Sequence, residues 1–145
     1  WCREDKILLA ADQVLAKISP NVSVWAVDPD GDPLGLYIRS LRGFKNLPED
    51  ALVLPGHQLP FYGLHERSNE LIAHHESRCA MIAEASAKKP CAAAEFVPVI
   101  FHRPLDPHQL SFAFSEVLAH VNYMLGLGQL KWAGTETGVR KVVTA

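Results

Sequence analysis

From Glu66 to Lys89 the chain reads "ERSNELIAHHESRCAMIAEASAKK", over twenty residues without a proline or a glycine. A strand rarely extends beyond eight residues, so a stretch of this length predicts one long helix. Leu71, His75, Cys79 and Ile82 recur at helical spacing and define its apolar face. Glu70, His74, Glu76 and Arg78 mark the polar face. Lys88 and Lys89 lie near the negative end of the helix dipole, and Pro90 closes the helix. The helix therefore separates a leading segment, residues 1–87, from a trailing one, residues 88–145.

The leading segment alternates short apolar runs with turns. Two apolar pieces flank the polar "REDK" at 3–6 in a hairpin pattern, and Ile7, Leu8 and Leu9 form a buried run that ends at Asp12. "VSVWAV" at 22–27 reads as a further strand, and "DPDGDP" at 28–33 is a concentrated turn signal. "LGLYIRSLRGF" places Leu36, Tyr37, Leu41 and Phe44 close to helical spacing. "ALVLPGH" at 51–57 is a short buried strand that stops at Pro55-Gly56 and is followed by His57.

In the trailing segment "CAAAEFVPVIF" predicts a short helix distorted by Pro98. "LDPHQLSFAFSEVLAHVNYMLGLG" carries the clearest helix signals in the chain. Asp106 suits the N-cap, Pro107 the first helical position and Gln109 a capping box. Leu110, Phe114, Val117, Leu118, Val121 and Leu125 form the expected core stripe, and Gly126 and Gly128 end it. "QLKWA" and "VRKVV" around "GTETG" predict a terminal hairpin. Helix, turn, helix and hairpin is the order of a winged-helix domain, expected over 88–145. A unit that small leans on a neighbour for stability.

Composition narrows the function classes. The chain has 145 residues, 48% of them hydrophobic, and a net charge of −2. That charge makes no case for a polyanionic partner. No apolar run is long enough to span a membrane as a helix. Three cysteines without a CxxC spacing argue against a disulfide framework, and a cytoplasmic location is the expectation.

Asp12 and His57 each follow a buried strand, where layered α/β folds gather functional residues. Carboxylate oxygen and imidazole nitrogen are both good zinc ligands. The stretches "KILLAADQVLAKISPNVSVW", "DPLGLYIRSL", "LVLPGHQLPFYGLHERSNELIAHHESR" and "DPHQLSFAFSEVLAHVNYMLGLGQL" cover nearly the whole chain. In that order they resemble the C-terminal half of a metallo-β-lactamase-fold hydrolase. The branch they resemble carries a winged-helix tail and includes glyoxalase-II-like and ribonuclease-like members. The resemblance implies an α+β fold: the C-terminal half of an αββα sandwich over 1–87, followed by a small winged-helix domain over 88–145.

It also implies a site with two zinc ions and a metal-activated water. Asp12 takes the position of the bridging carboxylate, and His57 that of the last histidine ligand. Family members usually place a glycine before that aspartate, whereas this chain has Ala11. The family's HxHxDH motif does not occur, nor does a middle histidine ligand ahead of Asp12. His65, His74, His75, His102, His108 and His120 fall too late in the order to replace them. The expectation is a fragment of a hydrolase, inactive alone. Its parent would cleave an ester, thioester or related bond, or a phosphodiester, in a small-molecule substrate. A missing N-terminal half or self-association would cover Leu8, Val24, Trp25 and Val53. The alternative is a non-enzymatic winged-helix interaction or nucleic-acid-binding module. Its electrostatic support is slight, because residues 88–145 hold six Lys/Arg against four Asp/Glu.

The remaining chemistry-bearing residues read as structural. Adjacent His74 and His75 point about 100° apart on a helix and share an ion poorly. Glu116 and His120, spaced i,i+4, suit an ion pair or half of a metal site. Cys79 belongs to an apolar face, while Cys91 opens a helix, where a thiolate is favoured.

Overall fold

Strand β1 (Ile7–Ala11) and strand β2 (Leu52–Pro55) pair in parallel, with Ile7 opposite Leu52, Leu8 opposite Val53 and Leu9 opposite Leu54. Parallel neighbours need a long connection, and here it includes helix α1 (Pro33–Gly43). Asp32 starts that helix by accepting a hydrogen bond from the Gly35 N–H at 2.8 Å. The computed structural model describes residues 1–136 and 138–145. It divides into two units, Trp1–Pro20 with Leu36–His74, and Asn21–Gly35 with His75–Ala145. Helix α2 (Leu64–Lys88) is continuous from one to the other.

The first unit buries Leu8, Ala10, Val14, Leu15, Tyr37, Ile38, Leu41, Val53, Leu64 and Leu71. Burial alternates along β1, with Leu8 and Ala10 inside and Leu9 outside. The two apolar pieces around "REDK" meet in a single antiparallel bridge, Cys2 to Ile7, rather than in hairpin strands. A second bridge, Val53 to Phe61, turns the chain back immediately after β2. Arg67 braces the segment after β1, donating to the carbonyls of Leu15 (2.8 Å) and Ile18 (3.0 Å).

The second unit joins a three-stranded antiparallel sheet to helices. Its order is β3 (Cys91–Ala92), β5 (Val139–Thr144), β4 (Leu130–Glu136). A 3-10 turn at Ala93–Phe96 runs into the one-turn helix α3 (Val97–Ile100), which carries Pro98 at its start. Helix α4 (Pro107–Gly126) begins at an Asp106 N-cap with a capping box to Gln109. The core includes Cys79, Ile82, Phe96, Val117, Val121, Met124 and Val142. Thr144 Oγ1 donates to the Ala83 carbonyl at 2.7 Å and lies 2.9 Å from Ser86 Oγ, tying β5 to α2. The expected terminal hairpin is present as β4 and β5. Thr137, within the "GTETG" turn, lies outside the described residues.

Several local expectations are corrected. "VSVWAV" forms no strand. Val22 and Val24 are buried, Trp25 is 69% exposed and Val27 94%. The Val24 N–H donates to the Ser115 carbonyl of α4 instead of to a β-ladder. Leu36 is exposed, and Leu34, Tyr37, Ile38 and Leu41 form the buried face of α1. The stripe of α4 is rotated from the expected one, with Ala113, Val117, His120, Val121 and Met124 inward while Leu110 and Phe114 are exposed. Apolar residues surround much of this helix, so periodicity alone permits both stripes. Leu8, Val24 and Val53 are already buried within the chain, whereas Trp25 is exposed. Cys91 lies in a strand, not at a helix start, and burial pushes its thiol up rather than favouring thiolate. Among the described residues, no helix is long and apolar enough to cross a membrane.

Two outcomes are expected. Asp106→Ala removes an N-cap hydrogen bond and lowers stability by about 1 kcal/mol in denaturant unfolding. Cys2 is exposed, whereas burial, with a contribution from Glu76, pushes Cys79 up to about 11. A neutral-pH thiol titration then shows rapid modification of Cys2 alone, with Cys79 and Cys91 reacting only after unfolding.

Candidate functional site

Parallel pairing puts the C-terminal ends of β1 and β2 on the same edge. Asp12 follows one and His57 the other, and the loops after both strands meet there. The Gly56 N–H donates to the Ala11 carbonyl at 2.7 Å, extending the ladder by one bond. The absence of a side chain at Gly56 leaves room for the Asp12 carboxylate in this approach. A Cβ at that position would stand 2.6 Å from Asp12 Oδ1 and 3.3 Å from the Ala11 carbonyl carbon. Ala11 sits at φ +45°, in the left-handed region that favours glycine. The sharp turn is thus kept with alanine, at a conformational cost of roughly 1–2 kcal/mol.

The turn delivers Asp12 Oδ1 to 2.7 Å from His57 Nδ1. A carboxylate only accepts, so Nδ1 is the donor in this bond. Both side chains remain accessible, at 61% for Asp12 and 69% for His57. The next residue, Gln58, also adopts positive φ, and its side-chain oxygen accepts from the Lys17 N–H at 2.9 Å. With the Val53–Phe61 bridge, these bonds fix both loops. The donor set, one carboxylate and one imidazole at an open edge, fits two positions of a zinc site. Three or four protein ligands are usual per ion, so two donors do not make up a full shell.

A second cluster lies inside the other unit. His75 on α2 and Glu116 and His120 on α4 bring one potential ligand atom each to within 4.8 Å of one another. His75 and His120 are fully buried. His75 Nδ1 lies 3.1 Å from His120 Nε2, and His120 Nδ1 lies 2.8 Å from the Glu116 carbonyl oxygen. Arg78 pairs with the Glu116 carboxylate, and its guanidinium carbon stands 4.9 Å from the centroid of the Phe101 ring. Burial pushes the Glu116 carboxyl up, and Arg78 opposes that rise. The sequence correctly puts His75 on the apolar face of α2. Arg78, expected on the polar face, is largely buried by this ion pair. The i,i+4 spacing of Glu116 and His120 was visible, but the third member comes from a helix about forty residues earlier. Histidines within the apolar faces of two helices were the available signal.

Residues 79–145 match the family model described as "Metallo-beta-lactamase-like, C-terminal domain". The chain is also similar to a beta-lactamase domain protein from Burkholderia ambifaria, at 41% identity and a TM-score of 0.94, covering 98% of this chain and 42% of that one. A metallo-beta-lactamase family protein from Thermus thermophilus is 32% identical with a TM-score of 0.80, covering 98% and 43% respectively. The chain therefore spans less than half the length of either protein. Among curated proteins none matches significantly. The mixed α/β architecture is consistent with the C-terminal part of a metallo-β-lactamase fold.

Two substitutions test the strand-end geometry. Ala11→Gly relieves the positive-φ strain and loses part of that gain to unfolded-chain entropy, for a net stabilisation of up to about 1 kcal/mol. Gly56→Ala displaces the Asp12 carboxylate from His57, lowers stability by about 1 kcal/mol and shifts the His57 ring resonances. Unchanged stability and unchanged resonances in Gly56→Ala would contradict the close-approach argument.

Proposed function

We propose that this chain is the C-terminal part of a metallo-β-lactamase-family hydrolase, and that Asp12 and His57 are two of its metal ligands. The observation that carries this reading is the 2.7 Å approach of Asp12 to His57 at the shared C-terminal edge of β1 and β2. In this reading Asp12 and His57 would each offer one ligand toward zinc, in the positions of the family's bridging carboxylate and last histidine. The bound metal supplies a water of lowered pKa, nucleophilic near neutral pH. The chain's own part is to hold the ligands in place. The Gly56–Ala11 bond sets the spacing of the strand ends, and Gln58 secures the adjoining loop to Lys17.

The substrate is an ester, a thioester or a related bond in a small molecule. The remaining ligands come from a segment carrying the HxHxDH motif, which the described residues lack. Such a segment also covers the exposed Leu9 side of β1. We assign residues 88–145 to a winged-helix domain of the glyoxalase-II-like or ribonuclease-like branch. Support comes from the order α3, α4, β4, β5 and from the short strand β3 added beside β5. This domain would serve as a scaffold rather than as a nucleic-acid reader.

The test joins this chain to the N-terminal part of the Burkholderia ambifaria protein. The chimera is expected to bind zinc and to hydrolyse thioester or lactone substrates. Asp12→Ala should lower that activity by about 100-fold or more, with loss of bound zinc. A folded chimera that binds no zinc, or one that keeps full activity with Asp12→Ala, would falsify the assignment.

A further inference from the structure

We infer that His75, Glu116 and His120 form a second metal site, a buried structural site for Zn²⁺ or a similar borderline divalent ion that ties α2 to α4. The inference is independent of the roles given to Asp12 and His57.

The hydrogen bonds orient the ligand atoms. The Glu116 carbonyl can only accept, so His120 Nδ1 must donate to it. His120 Nε2 then carries a lone pair directed at His75 Nδ1. Metal-ligating histidines characteristically have their second ring nitrogen bound to a carbonyl or carboxylate in this way, which fixes both tautomer and ring direction. The bond is local, because Glu116 and His120 are one turn apart on α4.

The spacing is also suitable. Two nitrogens bound at 2.0–2.1 Å to one tetrahedral ion lie about 3.3 Å apart. His75 Nδ1 and His120 Nε2 are already 3.1 Å apart. An ion replaces the hydrogen bond between them when the two rings tilt so that both lone pairs converge beside the N–N line. The proton on His75 Nδ1 moves to Nε2, so the ring changes tautomer without changing charge. Both nitrogens then bind the ion through their lone pairs.

Glu116 supplies the third donor and the compensating negative charge. Its carboxylate has two oxygens, and Arg78 engages Oε1. We give the other oxygen, Oε2, to the ion. The Arg78 guanidinium is held by Glu116 and by the Phe101 ring. It therefore acts as an outer partner that orients the carboxylate. Two imidazoles and one carboxylate suit Zn²⁺ better than Mg²⁺ or Ca²⁺, which favour all-oxygen shells. A water molecule completes the tetrahedron.

The experiment uses the full chain carrying Asp12→Ala and His57→Ala, both at exposed positions, so that the strand-end pair cannot contribute. Co²⁺ titration is expected to produce visible d–d absorption that saturates at one equivalent and is displaced by Zn²⁺. Adding His75→Asn or His120→Gln should weaken binding at least about tenfold. Those positions are buried, so imidazole ¹⁵N spectra of the parent chain give a readout that needs no core substitution. With one equivalent of Zn²⁺, His75 Nδ1 and His120 Nε2 are expected to move together to ligand-type shifts. Absence of d–d bands, bands that persist in folded His75→Asn, or ¹⁵N resonances that do not respond to Zn²⁺ would each overturn the inference.

Discussion

The approach of Asp12 to His57 depends on the parallel pairing of β1 with β2. Val53 is fully buried, and its register opposite Leu8 fixes which ends of the two strands coincide. The Gly56-to-Ala11 hydrogen bond carries this register one step beyond the strands. Asp12 and His57 meet at 2.7 Å because their backbones are already locked together. Removing the space at Gly56 would separate the side chains without changing either of them.

The cost of this arrangement is concentrated at Ala11. An L-residue at φ +45° gives up conformational energy that a glycine would save. The surrounding bonds outweigh that cost, since the Gly56 N–H and the strand ladder both hold the segment in place. The second unit faces a different problem, polar groups within a helical core. His75, His120 and Ser86 are fully buried there, and each lies within hydrogen-bond distance of a neighbouring polar atom. Burial strengthens such bonds and fixes side-chain direction, which is why the His75–Glu116–His120 cluster has a defined geometry.

Much of the fold was legible because its signals are local. The Pro- and Gly-free run is α2, Asp106-Pro107-x-Gln109 begins α4, and Pro55-Gly56 ends β2. Caps and chain breakers act through atoms only a few residues away, so a single sequence displays them. The errors occurred where apolar character had more than one use. The valines of "VSVWAV" at 22 and 24 are buried, but the segment bonds to a helix carbonyl. In α4 the apolar residues Leu110 and Phe114 suggested a stripe that burial does not follow. Cys91 was given a helix start and instead lies in a strand.

The sequence by itself determined the helices, the strand ends and the residue types available at Asp12 and His57. The family resemblance marked Ala11 as standing where relatives carry glycine, and the structure places it at φ +45°. Only the tertiary structure decided that Asp12 and His57 touch, and that His75 joins Glu116 and His120. Both results join residues about forty-five apart in the chain. No local propensity links positions so distant. Strand register makes the first contact, and the burial of one helix face against another makes the second.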